Sequence, residues 1–399
     1  MRILYVTAHY PPDFVSGATL QVRRMAEHVA ASGHEVAVLS GAIVAGLADG
    51  ERRREDGGGV RVEWIGTAER IDQDVDANWQ NPLATLAAAD LLDEWRPDVV
   101  HAHALQTLGA GPIAAAADRS IPTVVTMHDL WWWCSRLFLV DRDLRPCPLD
   151  TGMSDCACAR TAEWRRARAA ELALTLARVD EVLAPSAALR DVAVANGVDP
   201  TRIAVDTNDV DPAASSAPVP AAPMAEGPVR FLYVGGDHPL KGVDVVLAAA
   251  RRVRPRRGWR LAVYGVAKRR VGLGVPVDFR PAYAPADTAT VMRAADVLVI
   301  PSIARESFSL AAREALAAGL AVITSDCLGP EEVVDHDDNG LVVPTGDVAA
   351  LARAMSAVAA DRSLLLRLRR AAIDRPIELR TPAEHADALV ARYRRLAGT

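Results

Sequence analysis

Short apolar runs alternate with longer stretches in which apolar residues recur at helical spacing, and the alternation continues along most of the chain. The runs predict strands over Ile3–Thr7, Glu35–Leu39, Val60–Trp64, Val99–His103, Thr123–Met127, Glu181–Ala184 and Ile203–Val205. Between them, Thr19–Ala31, Pro82–Trp95 and Pro185–Ala195 read as helices. Strands that alternate with helices imply a parallel sheet covered on both faces. From Asp211 to Pro228 the chain is rich in Pro, Ala and Ser and almost without large apolar residues, which suits a linker. The pattern then restarts, with strands expected at Val229–Val234, Arg260–Tyr264, Val277–Arg280, Val297–Ile300 and Val322–Thr324. The expected architecture is α/β: two Rossmann-like, doubly wound domains facing across a cleft, residues 1–210 and 229–375, joined by the linker 211–228. Ligands of such sheets bind beyond the carboxyl ends of the strands.

Composition narrows the class. The chain has 399 residues, enough for two cores, with 50% hydrophobic and 24% charged residues, as in globular proteins. A formal net charge of -6 argues against a nucleic-acid partner. Two local basic runs, Trp164–Arg168 and Arg251–Arg257, read as solvated helix faces. The N-terminus runs directly into a strand pattern without the features of a secretory signal. The longest charge-free apolar run, Val36–Ala48, is broken by Ser40 and Gly41 and is too short for about 30 Å of hydrocarbon. The expectation is a cytoplasmic protein, with any membrane contact made peripherally through its substrate.

The segment Arg305–Gly319 carries the most chemistry. It follows the strand Val297–Ile300 and reads strand, loop, helix. Glu306 stands at the mouth of the loop and Glu314 inside the helix, with seven residues between them. The first N–H groups of a helix lack intrahelical partners, so the backbone at Phe308, Ser309 and Leu310 is suited to an anion. Glu314, a turn or more along, can accept hydrogen bonds from sugar hydroxyls. A sugar linked through phosphate to a ribose would use all three features. The ordinary alternative is an amphipathic helix with an Arg313–Glu314 surface pair.

The whole string resembles the E-x7-E segment of retaining glycosyltransferases of the GT-B fold, family 4, usually written E-x-F-G-x4-E-A. Phe308, Glu314 and Ala315 match, and Ser309 stands where glycine is usual. The likeness continues through Gly319–Asp326, Gly329–Val334 and Asn339–Pro344. It implies a chain whose last helix returns to the first domain; the segment 376–399, with Thr381–Arg395 as the helix, is the candidate. It also implies that the first domain binds an acceptor and the second a nucleotide sugar.

Further roles follow from the same resemblance. After the first strand, Ser16-Gly17-Ala18 is similar to a Gly-Gly loop facing donor phosphate and acceptor, with Gly17 alone of the pair present. Val234–Asp244 is similar to a turn that carries an Arg and a Lys for the diphosphate. Lys241 matches, whereas Gly236 takes the place of the Arg; Lys268, Arg269 and Arg270 on a later loop are candidates to replace it. His128, at the end of a strand, is expected to contact the donor sugar, while His101 and His103 read as structural. Arg280 closes a strand where similar enzymes hold the base with backbone groups, so base identity stays hidden.

Asp129-Leu130-Trp131-Trp132-Trp133-Cys134 opens a cysteine-rich loop, residues 129–160. Cys134, Cys147, Cys156 and Cys158 are separated by twelve, eight and one residues. In a reducing compartment, clustered cysteines suggest a structural zinc site, with free thiols and an iron–sulfur cluster as alternatives. The tryptophans could stack an acceptor ring or pack under the loop; packing is expected for two of the three.

The implied activity is transfer of a sugar, with retention, from a UDP- or GDP-linked donor to a hydroxyl of a glycan, glycolipid or natural product. Glu306, His128 and Lys241 are the catalytic candidates, and Glu314, Phe308, Ser309, Leu310, Gly17, Gly236 and Arg280 the donor-binding ones. No catalytic metal is expected, since helix dipole and Lys241 would do its work. The rivals are a nucleotide-sugar epimerase of the same fold and a non-catalytic sugar-nucleotide-binding subunit.

Overall fold

The computed structural model describes residues 1–42, 46–67, 79–150, 156, 158, 161–210, 227–269, 271–272 and 274–399. The expected linker therefore lies outside the described residues except for Gly227 and Pro228, as does part of the cysteine-rich loop. Two compact units result: Met1–Leu139, Cys147–Asp209 and Pro382–Thr399 in the first, Val140–Pro146 and Val210–Thr381 in the second.

The first unit holds strands β1 (Arg2–Thr7), β2 (Glu35–Ala42), β3 (Arg52–Gly57), β4 (Val60–Gly66), β5 (Val99–Ala102), β6 (Thr123–Thr126), β7 (Glu181–Ala184) and β8 (Ile203–Val205). Their order is β3-β4-β2-β1-β5-β6-β7-β8, parallel except for the antiparallel pair β3–β4. Its helices are α1 (Gly17–Ala31), α2 (Pro82–Trp95), α3 (Gly111–Asp118), α4 (Ala162–Arg178) and α5 (Ala187–Ala195). Strand β3, Arg-Arg-Arg-Glu-Asp-Gly, is exposed along its length and was not foreseen. This edge strand buries neither face, so it carries no apolar period, and its charges discourage pairing with another chain.

The second unit holds β9 (Val229–Tyr233), α6 (Val243–Ala250), β10 (Trp259–Tyr264), β11 (Val277–Arg280), α7 (Thr288–Arg293), β12 (Val297–Ile300), α8 (Leu310–Ala317), β13 (Ala321–Ser325), β14 (Gly340–Val343), α9 (Val348–Ala360) and α10 (Arg362–Asp374). All neighbours in β11-β10-β9-β12-β13-β14 are parallel. Phe231, Val263, Val297 and Val299 bury into one core and Leu232, Leu298, Ile300 and Val322 into another. That is the two-sided burial expected when successive side chains alternate between faces.

The final helix, α11 (Pro382–Ala397), packs Leu389, Val390 and Tyr393 into the first unit's core with Ile3, Tyr5 and Val22. His385 on this helix lies 2.9 Å from Asp206 Oδ2 and 2.9 Å from Asp209 Oδ2, all three buried. Arg395 adds a 2.8 Å bond to Glu181, and Arg392 pairs with the same carboxylate. The helix is thus fastened by charge as well as by apolar contact.

Strand order reverses direction at β1/β5 in the first unit and at β9/β12 in the second. In doubly wound sheets, ligands bind beyond the carboxyl ends of the strands at such a switch point. The loops after β9 and β12 are those that the sequence marked as donor-binding.

Candidate active site

In the second unit the two loops are bonded together. The N–H groups of Ile303 and Ala304 donate to Leu240 O at 2.8 and 3.0 Å. Gly242, at φ +72°, has no room for a side chain: a Cβ would lie 1.8 Å from Pro301 O. Tyr233 reaches up from β9, its hydroxyl 2.8 Å from Gly236 O and 3.3 Å from Lys241 O. This close seam fixes Lys241 opposite Glu306.

Lys241 Nζ lies 2.9 Å from Glu306 Oε1. The Glu306 side chain is 11% exposed and the Lys241 side chain 43%, so the carboxylate is the more deeply set of the pair. The hydroxyls of Ser302 and Ser309 also bond Glu306. Burial alone would raise the Glu306 pKa; the Lys241 charge and these hydrogen bonds outweigh it, and the group sits below its usual range. Lys241 is raised in turn, chiefly by Glu306. Both groups are therefore ionised at neutral pH.

Glu306 is also pinned through its backbone. Its N–H donates to Cys327 O and its carbonyl accepts from Gly329 N–H, each at 2.8 Å. The tightness explains Gly329, where a Cβ would meet Phe308 N at 2.6 Å and Glu306 O at 2.7 Å. Ser309 caps α8 with φ +58° and ψ 83°, in the left-handed region. L-residues other than Gly, Asn and Asp rarely adopt this conformation, which accounts for glycine as the family's usual residue there. The helix begins at Leu310, so Phe308 and Ser309 present their backbone from the turn rather than from the helix itself.

Arg313 overturns the surface-pair alternative. It is buried, its guanidinium stacks 3.6 Å from the centre of the Phe308 ring, and it donates to Phe308 O and, at 2.7 Å, to Glu332 Oε2. Burial lowers its pKa to about 10 against the opposing pull of Glu332. A planar fork over an aromatic face suits Arg far better than Lys. Arg313 thus holds the turn from behind, a role that the sequence pattern did not disclose. Glu314, half-buried on α8, lies near enough to Tyr283 for its charge to raise that phenol, after burial, to about 12. Arg280 is exposed and turned to Asp278, at 2.8 Å, and to Tyr264.

Gly17 and His128 lie in the first unit. Gly17 opens α1, capped by Ser16, whose hydroxyl accepts from Thr19 N–H at 3.3 Å. His128 Nε2 is 2.9 Å from His103 Nδ1, and His101 lies beside His103 with ring centres 4.2 Å apart. His101 bonds Thr126 at 2.8 Å and Tyr393 at 2.5 Å. Burial lowers all three: His101 to about 3, His128 to about 4, and His103 well below the usual range. They form a neutral stack under the carboxyl ends of β5 and β6.

Asp129, beside His128, accepts from Trp131 N–H at 2.9 Å and from Gln106 at 2.7 Å, and burial raises it to about 6. Trp131, Trp132 and Trp133 are all buried, and Trp132 and Trp133 line a cavity with Leu172 and Val182. Arg168, expected on a solvated helix face, is buried against Trp131, bonding its carbonyl, with 5.2 Å from guanidinium to ring centre. The second basic run, Arg251–Arg257, follows α6 as an exposed loop interrupted by buried Val253, not as a helix face. Cys134 is buried, and Cys147, Cys156 and Cys158 are half-buried. Among the described residues, which leave out part of the cysteine-rich loop, no group of three or more His, Cys, Asp or Glu side chains is placed to hold a metal ion. Arg270 lies outside the described residues.

Comparison with known proteins decides the family. The Glycosyltransferase Family 4 pattern matches residues 15–214, half of the chain, and the Glycosyl transferases group 1 pattern matches residues 228–361. The chain belongs to glycosyltransferase family 4. This family 4 glycosyltransferase is 29% identical to a glycogen synthase of Mycobacterium tuberculosis, over 94% of this chain and 90% of the relative. It is likewise 29% identical to the 2-deoxystreptamine N-acetyl-D-glucosaminyltransferase of Streptomyces fradiae, over 90% and 89%. Its fold is that of the sucrose-phosphate synthase of Thermosynechococcus elongatus, with TM-score 0.70 at 20% identity, covering 100% and 99% of the two chains. The Anabaena HepE protein, solved in complex with UDP, gives TM-score 0.68 at 17% identity, covering 98% and 99%. The GT-B fold and glycosyltransferase activity thereby stand. Among the described residues no helix is long and apolar enough to cross a membrane.

Proposed function

We propose that this glycosyltransferase moves a sugar, with retention of anomeric configuration, from a nucleoside-diphosphate donor to a hydroxyl acceptor. The observation that carries the reading is the seam at the β9/β12 switch point, where Lys241 and Glu306 meet at 2.9 Å beside the turn Phe308–Leu310. The donor diphosphate binds Lys241 and the N–H groups of Ser309 and Leu310, where the helix dipole favours negative charge. Glu314 accepts from the ribose hydroxyls, and Glu306, held ionised, faces the sugar ring. Solved structures of similar fold hold UDP or UDP-2-fluoro glucose, which supports a nucleotide-sugar donor.

As the bond from sugar carbon to phosphate oxygen breaks, negative charge grows on the diphosphate. Lys241 and the preorganised N–H groups stabilise it more in the transition state than in the ground state. The departing phosphate oxygen accepts the acceptor's hydroxyl proton, so no side-chain nucleophile is required. In the first unit, which takes the acceptor, neutral His128 offers hydrogen bonds to sugar hydroxyls without adding charge.

The test is a screen of UDP- and GDP-linked sugars for a rise in melting temperature, since a ligand of the native state alone stabilises it. Turnover of the stabilising donor with an acceptor panel is then followed by proton NMR of the product's anomeric centre. An axial donor linkage that appears axial in product is expected. Product formed with inversion, or epimerised donor without an acceptor, contradicts the reading.

A further inference from the structure

The turn after β9 poses a problem of charge. Family resemblance places an Arg where this chain has Gly236, and a nucleoside diphosphate brings more negative charge than Lys241 alone can meet. Gly236 has φ +71°, where an Arg would be strained, and no atom lies within 4 Å of the Cβ it lacks. The neighbouring loop comes down on this bare position: the Cβ direction of Gly265 points to Gly236 Cα at 3.6 Å.

That loop carries Arg269. Its Nη1 bonds Asp244 Oδ1 at 2.6 Å, on the first turn of α6, and its Nη2 bonds Asp237. Asp237 is itself tied to the loop by Ala267 N–H at 3.3 Å. The guanidinium therefore sits on the same turn as Gly236, delivered from outside it. It shares that neighbourhood with the catalytic seam: the Tyr233 phenol, raised by burial and then by Glu306 and Asp237, is lowered by Arg269. Its side chain is 35% exposed, so it is reachable by a ligand. The two carboxylates engage only part of the fork, and an Arg keeps further N–H donors for a phosphate.

We infer that Arg269 supplies the diphosphate-binding cation missing at Gly236, with Asp237 and Asp244 as carboxylates that hold it in place until the donor arrives. The inference rests on the donor reading given above and adds a residue to it. In the empty site the aspartates neutralise the guanidinium and hold its fork beside the turn. The diphosphate competes with them for the same N–H groups, so the carboxylates orient Arg269 at a cost in affinity.

This arrangement gives opposite signs for two neighbouring substitutions, where a loop staple would give the same sign. UDP and GDP are titrated calorimetrically into the full-length protein, and the tighter of the two is carried through the variants. Arg269→Gln is expected to weaken that nucleotide by about 10- to 100-fold, the range for loss of a charge-assisted hydrogen bond. Asp237→Asn, which frees the guanidinium, is expected to tighten it by a few-fold. If both variants weaken binding alike, Arg269 is only a loop fastener and the inference is overturned. If Arg269→Gln leaves affinity unchanged while Lys241→Ala abolishes it, the inference falls and the donor reading stands. If wild-type protein binds neither nucleotide, the donor reading itself has failed. Arg269 and Asp237 are both partly exposed, and a melting curve for each variant separates loss of fold from loss of binding.

Discussion

The two units use one scaffold for opposite electrostatics. At the second unit's switch point the loops carry Lys241, Glu306, Arg269 and Asp237, joined in ion pairs. At the carboxyl ends of the first unit's strands stand His101, His103 and His128, stacked and held neutral by burial. A diphosphate needs fixed charge, whereas sugar and acceptor hydroxyls need directional hydrogen bonds that do not compete for that charge. The difference shows how a doubly wound fold is specialised by its loops and not by its sheet.

The contrast is most exposed to substitution at the charged site. Lys241→Ala is expected to lower turnover by about two orders of magnitude or more, the scale of losing one preorganised group in an electrostatic site. Turnover at saturating donor measures it, and a change below threefold would remove Lys241 from the diphosphate. Next in size, Glu314→Ala is expected to weaken donor binding by about 10-fold or more, as for a hydrogen bond to a charged group. Its calorimetric readout is donor affinity; unchanged affinity would break the ribose assignment.

Acid should separate the units. His101 and His128 fall from 6.5 to about 3 and about 4 in the native state, so the unfolded chain binds more protons as pH drops below 6.5. Stability of the first unit then declines by roughly tenfold in the unfolding equilibrium per pH unit for each such histidine. Asp129, raised from 3.8 to about 6, takes up a native-state proton in the same range and cancels one of them. Glu306 behaves differently: with its native pKa depressed, its contribution is present above its ordinary value near 4.5 and is lost only below it. Hydrogen exchange at pH 5.5 against pH 7.5 should show β5 and β6 opening more readily, with β9 and β12 little changed. Equal acid sensitivity in both units would contradict the account of the histidine stack.

The smallest expected effect isolates backbone strain. Ser309→Ala and Ser309→Gly both delete the hydroxyl that bonds Glu306, but only glycine relieves φ +58°. The glycine variant should be the more stable of the two by about 1 kcal/mol in denaturant unfolding. No difference would mean that the turn relaxes without strain.

Much of this was legible in the chain. Strands β7, β8, β11 and β12 have the expected bounds, and in buried β12 the run Val-Leu-Val-Ile leaves no polar face to mislead. Strand β3 escaped because an exposed edge carries no apolar signal. Glu306 and Lys241 were legible through their spacing and family pattern, and the structure sets them face to face. Arg313 and Arg168 were not, since a buried cation looks like any helical Arg until its aromatic and carbonyl partners, Phe308 and Trp131, are located in space. The cysteine-rich loop lies partly outside the described residues, so its zinc site stays an expectation of the sequence.

The central claim is that a nucleotide sugar is gripped by the second unit's switch-point loops. Hydrogen exchange with and without saturating UDP- or GDP-sugar reads this directly, amide by amide. Protection is predicted in the two segments 235–244 and 306–314, on either side of the Lys241–Glu306 pair. Protection confined to other segments, with these two unchanged by a donor that demonstrably binds, would contradict it.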